Sequence, residues 1–409
     1  MVEKHFSLLK DYETVRAVSL KIIEPLEIEE MVVQPTTEVS PIKWHLGHTT
    51  WFYEKFILEK LGYELSNNAS YNLIFNSYYK SAGKHWEQGK RGALSRPTVD
   101  QIIQYRKSID KKIQNLSLDE LKKIDSLLIA GLHHEMQHQE LMYMDLKYVK
   151  YNEVIKTPYI EATLTTQQSA VEGWQTIQEG LYIIGNTSKH FHYDNETAPH
   201  KVHINECAIS KNYVTNGEFL EFILSDGYKR AELWLSMGWD WINNNNIYAP
   251  LYWHKKDNEW HEYTLHGEVK LNLQSPVAHI SYFEADAYAR WKKLRLPTEF
   301  ELEVFDRITS SSHSRVSRDN TLHPQAIRGQ NNELWCWTSS QYSPYPGFKP
   351  FLDSLSEYNG KFMCNQFVLR GGCFTTPKGH YRSTYRNFYL PQQRWMFSGI
   401  RLTKDLHEF

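Results

Sequence analysis

The sequence predicts a helical bundle at the N-terminus followed by a loop-rich α+β domain. The chain has 409 residues, which is more than a single hydrophobic core usually serves, so two domains are expected. Apolar residues recur with helical periodicity through roughly the first 150 residues, whereas later segments are short and interrupted by glycine, proline and asparagine. We therefore expect domains at residues 1–155 and 173–409, with a polar linker at residues 156–172.

Four helices are expected in the first domain, beginning near residues 12, 40, 97 and 117. Ser40-Pro41 suits a helix start, because serine caps the first turn and proline is tolerated at the first helical position. Ser117 and Glu120 have the capping-box spacing, and the helix after them continues to about residue 149. With one long connection at residues 62–96, this set is typical of an antiparallel four-helix bundle.

The second domain is expected to mix short strands with helices. Strands are predicted at residues 181–184, 202–204 and 368–369, and helices at residues 216–225 and 283–293. The apolar runs end at turn-forming residues, which is typical of strands joined by tight loops. This combination predicts an α+β domain.

Composition excludes several classes of protein. No run approaches eighteen apolar residues, and the mean hydropathy is −0.58, so no membrane span is expected. The formal charge of −2 argues against a nucleic-acid partner, which usually needs a basic face. Four cysteines without a C-x-x-C pair, and a start without a secretory signal, fit a cytoplasmic protein. We expect small-molecule partners, and the sequence gives no indication of oligomeric state.

His134 and His138 are the first candidate ligands for a metal ion. Side chains at i and i+4 lie on one helix face, here the stripe that should face the bundle core. Gly131, one turn earlier, leaves room for a neighbouring group. A third ligand is needed, and His48 is the best candidate because it lies on an apolar face of the second helix; His45 is the weaker candidate.

The residues alone do not identify the metal or the reaction. Residues 134–138 read HEMQH, which is also the H-E-x-x-H pattern of zinc metalloproteases. The extended form of that motif does not follow, and the preceding region is helical, so a protease is not favoured. Three neutral histidines leave open coordination positions, which suits either zinc hydrolysis or iron chemistry with O2.

Several motifs together resemble one enzyme family. Residues 40–48 (SPIKWHLGH) and the pattern His134-x3-His138-x-Glu140 resemble the iron-binding segments of DinB-like bundles in ergothioneine sulfoxide synthases, or hercynine oxygenases. The second domain resembles the formylglycine-generating-enzyme (sulfatase-modifying factor) fold, which is C-type-lectin-like. Its motifs are NYVTNGEF at 212–219, RLPTE at 295–299, WCWTSS at 335–340, LRGG at 369–372 and FSGIRL at 397–402.

The resemblance implies a reaction that uses Fe(II) and O2. Enzymes of this family form a carbon–sulfur bond between cysteine or γ-glutamylcysteine and hercynine (Nα-trimethylhistidine), and the product is a sulfoxide. Iron would be held by His48, His134 and His138. Residues 76–79 (NSYY) resemble the branch whose paired tyrosines lie at the active site, so Tyr78 or Tyr79 would supply a proton. That branch is associated with free cysteine as the sulfur donor.

The same resemblance implies the residues that bind the substrates. Gln137 would lie near hercynine, Asn387 would bind its carboxylate, and Phe388, Tyr389 or Trp395 would face its trimethylammonium group. Arg394 lies in the same C-terminal stretch. Arg91, between Lys90 and Arg96, would bind the carboxylate of the sulfur donor. The full set is Gln137, Asn387, Phe388, Tyr389, Arg394, Trp395 and Arg91.

Two differences between this sequence and related families argue against some of the possible functions. Cys373 stands alone after the Arg-Gly-Gly segment, where a formylglycine-generating enzyme needs reactive cysteines, so sulfatase activation is not expected. The chain has no nucleotide-binding fingerprint of an added methyltransferase domain, which favours hercynine over histidine. The alternatives are the same chemistry with γ-glutamylcysteine, histidine or a selenium donor, a zinc-dependent DinB-like hydrolase or thiol transferase, and a non-enzymatic lectin-like binding module.

Overall fold

A computed structural model of the chain describes residues 2–65, 69–164, 173–309, 321–325, 332–351 and 355–406. The chain divides into two compact units. The first comprises Met1–Tyr159 together with Leu352–Tyr358, and the second comprises Ile160–Phe351 and Asn359–Phe409. Residues 165–172 of the predicted linker lie outside the described residues.

The first unit is helical, as predicted. Its helices are α1 (Val2–Ile23), α2 (Ile42–Tyr53), α3 (Ala69–Phe75), α4 (Val99–Gln114) and α5 (Leu118–Asn152). A π-helical turn at Glu54–Leu58 extends α2, and α5 packs against both α1 and α2. The stretch expected to be a loop, residues 62–96, contains α3 and two 3-10 turns, Lys80–Ala82 and Gln88–Ala93.

Capping residues explain where two of these helices begin. Thr98 and Gln101 form a capping box before α4, and Ser117 and Glu120 form the predicted one before α5. The prediction for α2 was wrong in detail. This helix begins at Ile42 with Pro41 at the N-cap position, so Ser40 lies one residue too early to cap it. The Ser40 hydroxyl accepts a hydrogen bond from Arg91.

A buried ion cluster joins α1, α4 and α5. Glu135 is fully buried and accepts hydrogen bonds from Arg16 (3.0 Å), Ser19 (2.6 Å) and Arg106. Arg16 also donates to Asp110 at 2.7 Å. Burial alone would raise the pKa of Glu135, but the two guanidinium groups outweigh it and hold the pKa below its ordinary value. Glu135 is therefore an ionised centre that ties three helices together.

The second unit is an α+β domain, which confirms the predicted fold class. Its strands are β1 (Trp174–Ile177), β2 (Gly180–Ile184), β3 (His200–Ile204), β4 (Cys207–Ser210), β5 (Trp253–Lys256), β6 (Glu259–Thr264), β7 (Gly267–Lys270), β8 (Trp335–Gln341), β9 (Phe367–Arg370), β10 (Asn387–Tyr389), β11 (Ser398–Gly399) and β12 (Thr403–Asp405). They form sheets ordered β1-β4-β12, β2-β3, β5-β6-β7 and β10-β9-β8-β11. Only the β8–β11 pair is parallel among the strand pairs described.

In the described part of the second unit the sheets are accompanied by the α-helices α6 (Asn216–Leu224), α7 (Ser236–Asn244), α8 (Tyr282–Trp291) and α9 (Glu299–Thr309). Capping boxes start α6 at Thr215 and α8 at Ser281, both close to the predicted boundaries. Buried arginines link α9 to the sheet of β8–β11, since Arg370 pairs with Glu303 and Arg386 with Glu299. Within the described ranges no helix combines the length and apolar character that a membrane span requires.

Candidate metal centre

Three histidines of the first unit converge on one point. His48 comes from α2, and His134 and His138 come from α5. One ring nitrogen of each lies within 4.8 Å of the others, and Nε2 of His48 is 3.0 Å from Nε2 of His134. Among the described residues, no other group of three or more histidine, cysteine or acidic side chains meets this criterion. The structure thus brings together the three residues predicted as ligands.

Two glycines allow the close packing around these rings. A Cβ at Gly47 would lie 2.2 Å from the Phe75 ring, and one at Gly131 would lie 2.6 Å from the Tyr53 ring. Gly131 therefore makes room for a neighbouring group, as its position before His134 suggested. Aromatic rings complete the packing, because Trp44 stacks on His48 and Phe52 stacks on His134 at centroid distances of 4.6 and 4.3 Å.

The electrostatics of the cluster suit metal ligation. Burial, and then repulsion from the neighbouring histidines, hold the pKa of His48, His134 and His138 well below the ordinary value. Neutral imidazole is the form that binds a metal. Nδ1 of His48 donates to the Phe75 carbonyl at 2.6 Å, which leaves its Nε2 as the free ligand atom. These residues fit a divalent ion with three nitrogen ligands and open positions.

His45, the weaker candidate ligand, has a different position. Its Nδ1 lies 2.8 Å from Nδ1 of His138, and its Nε2 lies 3.0 Å from a carboxylate oxygen of Asp145. It contacts a candidate ligand instead of joining the converging nitrogens. Asp145 was not singled out in the sequence. A signal existed, because it follows His138 by seven residues and thus lies two turns further along the same helix face.

Glu135 does not act as the H-E-x-x-H pattern would require. In a metalloprotease the glutamate is the general base beside the metal. Here its carboxylate accepts from Arg16, Arg106 and Ser19 in the buried ion cluster, about 100° around the helix from His134. The carboxylate that a metalloprotease would use as its general base is therefore not beside the three histidines, which argues against a protease.

Tyr78 and Tyr79 differ in their environment. Their rings stack at 4.6 Å, but Tyr79 is fully buried and packs on Trp51 and Phe56, whereas Tyr78 is half-buried. The Tyr78 hydroxyl lies 3.4 Å from the Tyr358 carbonyl oxygen, to which it donates. Burial raises the pKa of Tyr79 well above its ordinary value. Tyr78 is thus the more accessible phenol of the pair.

Tyr358 is a neighbour of the site that the sequence did not reveal. It lies in the short segment of the C-terminal half that belongs to the first unit. Its hydroxyl donates to Oε1 of Gln137 at 2.5 Å, and its ring is 6.1 Å from that of His134. The two partners are 221 positions apart in the sequence, so no local pattern could have predicted this contact.

Arg91 is a buried guanidinium next to the histidines. Its side chain lies 3.3 Å from the centroid of the Trp44 ring, whose other neighbour is His48. It donates to Ser40 at 2.8 Å, and its Nε has no hydrogen-bond partner among the described residues. Burial, opposed by Asp145, lowers the pKa of Arg91 to about 9, so the group is charged at neutral pH. Such a cation favours an anionic ligand.

The other predicted substrate residues lie in the second unit. Asn387, Phe388 and Tyr389 form β10, where Phe388 stacks on Tyr342 at 4.1 Å. Arg394 donates to the buried carboxylate of Glu284 at 3.1 Å. Tyr389 packs edge-on against the buried Trp395 at 5.4 Å. Their roles in substrate binding remain predictions.

Comparison with known proteins shows what this chain resembles. Residues 11–142 match the DinB superfamily, and residues 161–332 match the sulfatase-modifying factor enzyme 1-like domain. The hercynine oxygenase of Mycobacterium tuberculosis is 26% identical to this chain over 96% of it and 97% of its own length. The chain is a homologue of the hercynine oxygenases.

Other relatives of this hercynine oxygenase homologue have names that point to the same pathway or reaction. The hercynine oxygenase of Mycolicibacterium smegmatis is 29% identical over 67% of this chain and 71% of its own length. The ergothioneine biosynthesis protein 1 of Schizosaccharomyces pombe is 28% identical over 59% of this chain and 31% of its own length. These similarities confirm the predicted resemblance to the hercynine oxygenases, the order of a helical DinB-like region followed by a sulfatase-modifying-factor-like region, and the prediction of an enzyme.

Proposed function

We propose that this protein is an Fe(II)- and O2-dependent sulfoxide synthase that joins cysteine to the imidazole ring of hercynine. The observation that carries the proposal is the three-histidine cluster in a chain homologous over nearly its whole length to a hercynine oxygenase. Cysteine is the proposed donor because residues 76–79 resemble the branch that uses it. The free cysteines, three of them buried, support a cytoplasmic location.

The reaction balances without an added reductant. The ring C–H of hercynine and the S–H of cysteine are lost as the C–S bond forms, and sulfur is oxidised to the sulfoxide. These oxidations together supply the electrons that reduce O2, of which one oxygen atom enters the product and the other leaves as water. An iron ion at the three histidines would supply the redox and Lewis-acid chemistry.

The remaining side chains bind substrates and move protons. Arg91 would hold the carboxylate of cysteine by a charge-assisted hydrogen bond. Gln137, whose side-chain oxygen accepts from Tyr358, would present its amide N–H to hercynine. Tyr78 would donate the proton. The C-terminal residues Asn387, Phe388, Tyr389, Arg394 and Trp395 are proposed to contribute to hercynine binding through carboxylate and cation–π contacts.

A competition assay tests the function. Protein reconstituted with Fe(II) under anaerobic conditions is given hercynine, cysteine and γ-glutamylcysteine together and then exposed to O2. We expect a hercynyl-cysteine sulfoxide mass, and no product from the His138→Ala variant. Unchanged hercynine without O2 consumption would overturn the proposal. Stoichiometric zinc with activity independent of O2 would instead support a zinc hydrolase or transferase.

Replacing Tyr78 by phenylalanine should slow product formation about 10²–10⁴-fold, which is the usual contribution of a positioned proton donor. The Tyr79→Phe variant is the matched control, and we expect a smaller loss because the Tyr79 hydroxyl is buried and its ring packs on Trp51. Single-turnover rates of sulfoxide formation measure both variants. Equal losses, or a larger loss for Tyr79→Phe, would contradict the assignment.

Replacing Arg91 by methionine should raise the KM for cysteine about 10- to 100-fold, the equivalent of a lost hydrogen bond to a charged group. The KM for hercynine should change much less. Steady-state kinetics with each substrate varied in turn give both values. The Lys90→Met variant is the control, since Lys90 is exposed and pairs with Glu87. A parallel rise in both KM values would argue against a specific role in cysteine binding.

A further inference from the structure

We propose that Asp145 and His45 form a hydrogen-bonded chain that fixes the tautomer of His138, so that this ring presents Nε2 to the metal. The inference rests on the proposed three-histidine metal site. Nδ1 of His138 is 2.8 Å from Nδ1 of His45, and Nε2 of His45 is 3.0 Å from Asp145. His45 and Asp145 are both buried.

The direction of each proton in this chain follows from the chemistry of neutral imidazole, in which one ring nitrogen donates and the other accepts. If His138 binds a metal through Nε2, its proton must lie on Nδ1. That N–H then donates to Nδ1 of His45. His45 consequently carries its own proton on Nε2 and donates it to the Asp145 carboxylate. Only this arrangement satisfies both short contacts while His138 keeps a lone pair for the metal.

Asp145 is itself held in place from outside the cluster. The backbone N–H of Ser40, just before α2, donates to the same oxygen, Oδ2, at 2.8 Å. The Ser40 hydroxyl accepts from Arg91. An acceptor is therefore required at the Oδ2 position whatever the charge of residue 145. This requirement makes an asparagine informative, because its amide oxygen can occupy that position and accept both hydrogen bonds.

The three candidate ligands differ in the hydrogen bonds that orient their rings. His48 donates to a backbone carbonyl, which no side-chain replacement can remove. His134 has no hydrogen-bond partner for its Nδ1 among the described residues. Of the three, only His138 is oriented by other side chains. A substitution outside the three-histidine cluster can therefore change the orientation of this ligand. Asp145 and His45 are positioning residues in this sense.

The test uses Co(II) as the probe, because its absorption spectrum reports ligand number and geometry without any turnover. Titration of the full-length protein gives the dissociation constant. We expect Asp145→Ala and His45→Phe each to weaken Co(II) binding about 10- to 100-fold, as loss of an outer hydrogen-bond partner does elsewhere. The double variant should bind no more weakly than His45→Phe alone, because both substitutions break one chain.

The Asp145→Asn variant separates positioning from charge. It keeps an acceptor at the Oδ2 position, so it should lose clearly less affinity than Asp145→Ala. Asp119→Ala, at an exposed position at the start of α5, controls for the loss of a carboxylate. Thermal unfolding of each metal-free variant shows whether the fold is retained, and His45→Phe carries the test if Asp145→Ala does not fold.

Several outcomes would overturn the inference. These are wild-type affinity in Asp145→Ala, equal losses in Asp145→Asn and Asp145→Ala, or additive losses in the double variant. If the wild-type protein binds no Co(II), the metal site fails and the inference with it. If the wild type binds Co(II), Asp145→Ala and His45→Phe both bind it more weakly, and no sulfoxide forms from hercynine, the inference stands and only the proposed reaction fails.

Discussion

Replacing His134 by alanine should remove both metal binding and product formation. The side chain supplies one of three converging nitrogens, and two histidines cannot reproduce that site. We expect the affinity for the metal to fall by more than the ~10- to 100-fold that loss of an outer partner costs. Metal content after gel filtration and the yield of hercynyl-cysteine sulfoxide are the measurements. No detectable product is expected even with Fe(II) in excess.

His133 provides the matched control for this prediction. It precedes His134 on α5 and points about 100° away around the helix axis. The His133→Ala variant should keep its metal and form product. If both variants lose metal alike, general damage to α5 is the cause. If His134→Ala keeps a full complement of metal, the three-histidine centre is not the binding site.

Replacing Glu135 by alanine should lower the free energy of unfolding of the first unit by about 3–5 kcal/mol, the usual cost of removing one partner of a buried ion pair. The substitution leaves Arg16 and Arg106 buried without their shared carboxylate. Denaturant unfolding of the metal-free protein measures the effect. The surface pair of Glu59 with Lys55 is the control, and Glu59→Ala should cost at most about 1 kcal/mol.

The contribution of Glu135 to the free energy of unfolding should also depend on pH. Its pKa in the folded chain lies below the ordinary value of 4.5, which an unfolded chain has. Its ionised form therefore stabilises the fold above that pH, and the contribution is lost as pH falls through the folded pKa. The difference between the wild type and Glu135→Gln should shrink in acid. A difference that stays constant down to pH 3 would contradict an ionised Glu135.

Local patterns predicted the fold where a helix or strand is specified by its own residues. The capping box at Ser117 and Glu120 and the periodicity after it predicted α5 correctly, and the turn-forming residues Gly185 and Asn186 predicted where β2 ends. The short helix α3 was missed, because seven residues carry too little periodicity to stand out in a polar loop. The 3-10 turn at Gln88–Ala93, which carries Arg91, was missed for the same reason.

In the candidate site, too, local patterns predicted some residues and missed others. His134 and His138 share a helix face, so their spacing alone indicated a site, and an apolar stripe on α2 added His48. The partner of His45 depends on how α2 packs against α5, which no spacing encodes. Tyr358 depends on a segment that returns from the far end of the sequence. Tertiary packing decides both contacts.

The first unit contains two separate stretches of the sequence, because residues 355–358 belong to it together with the helices. An exchange of the C-terminal domain between related genes would therefore also exchange Tyr358, the hydrogen-bond partner of Gln137. Glu357 in the same segment accepts from the backbone N–H groups of Lys80 and Ser81, beside the tyrosine pair. Recombination at the sequence boundary between the two domains would therefore combine the histidine cluster of one protein with the Tyr358 segment of another.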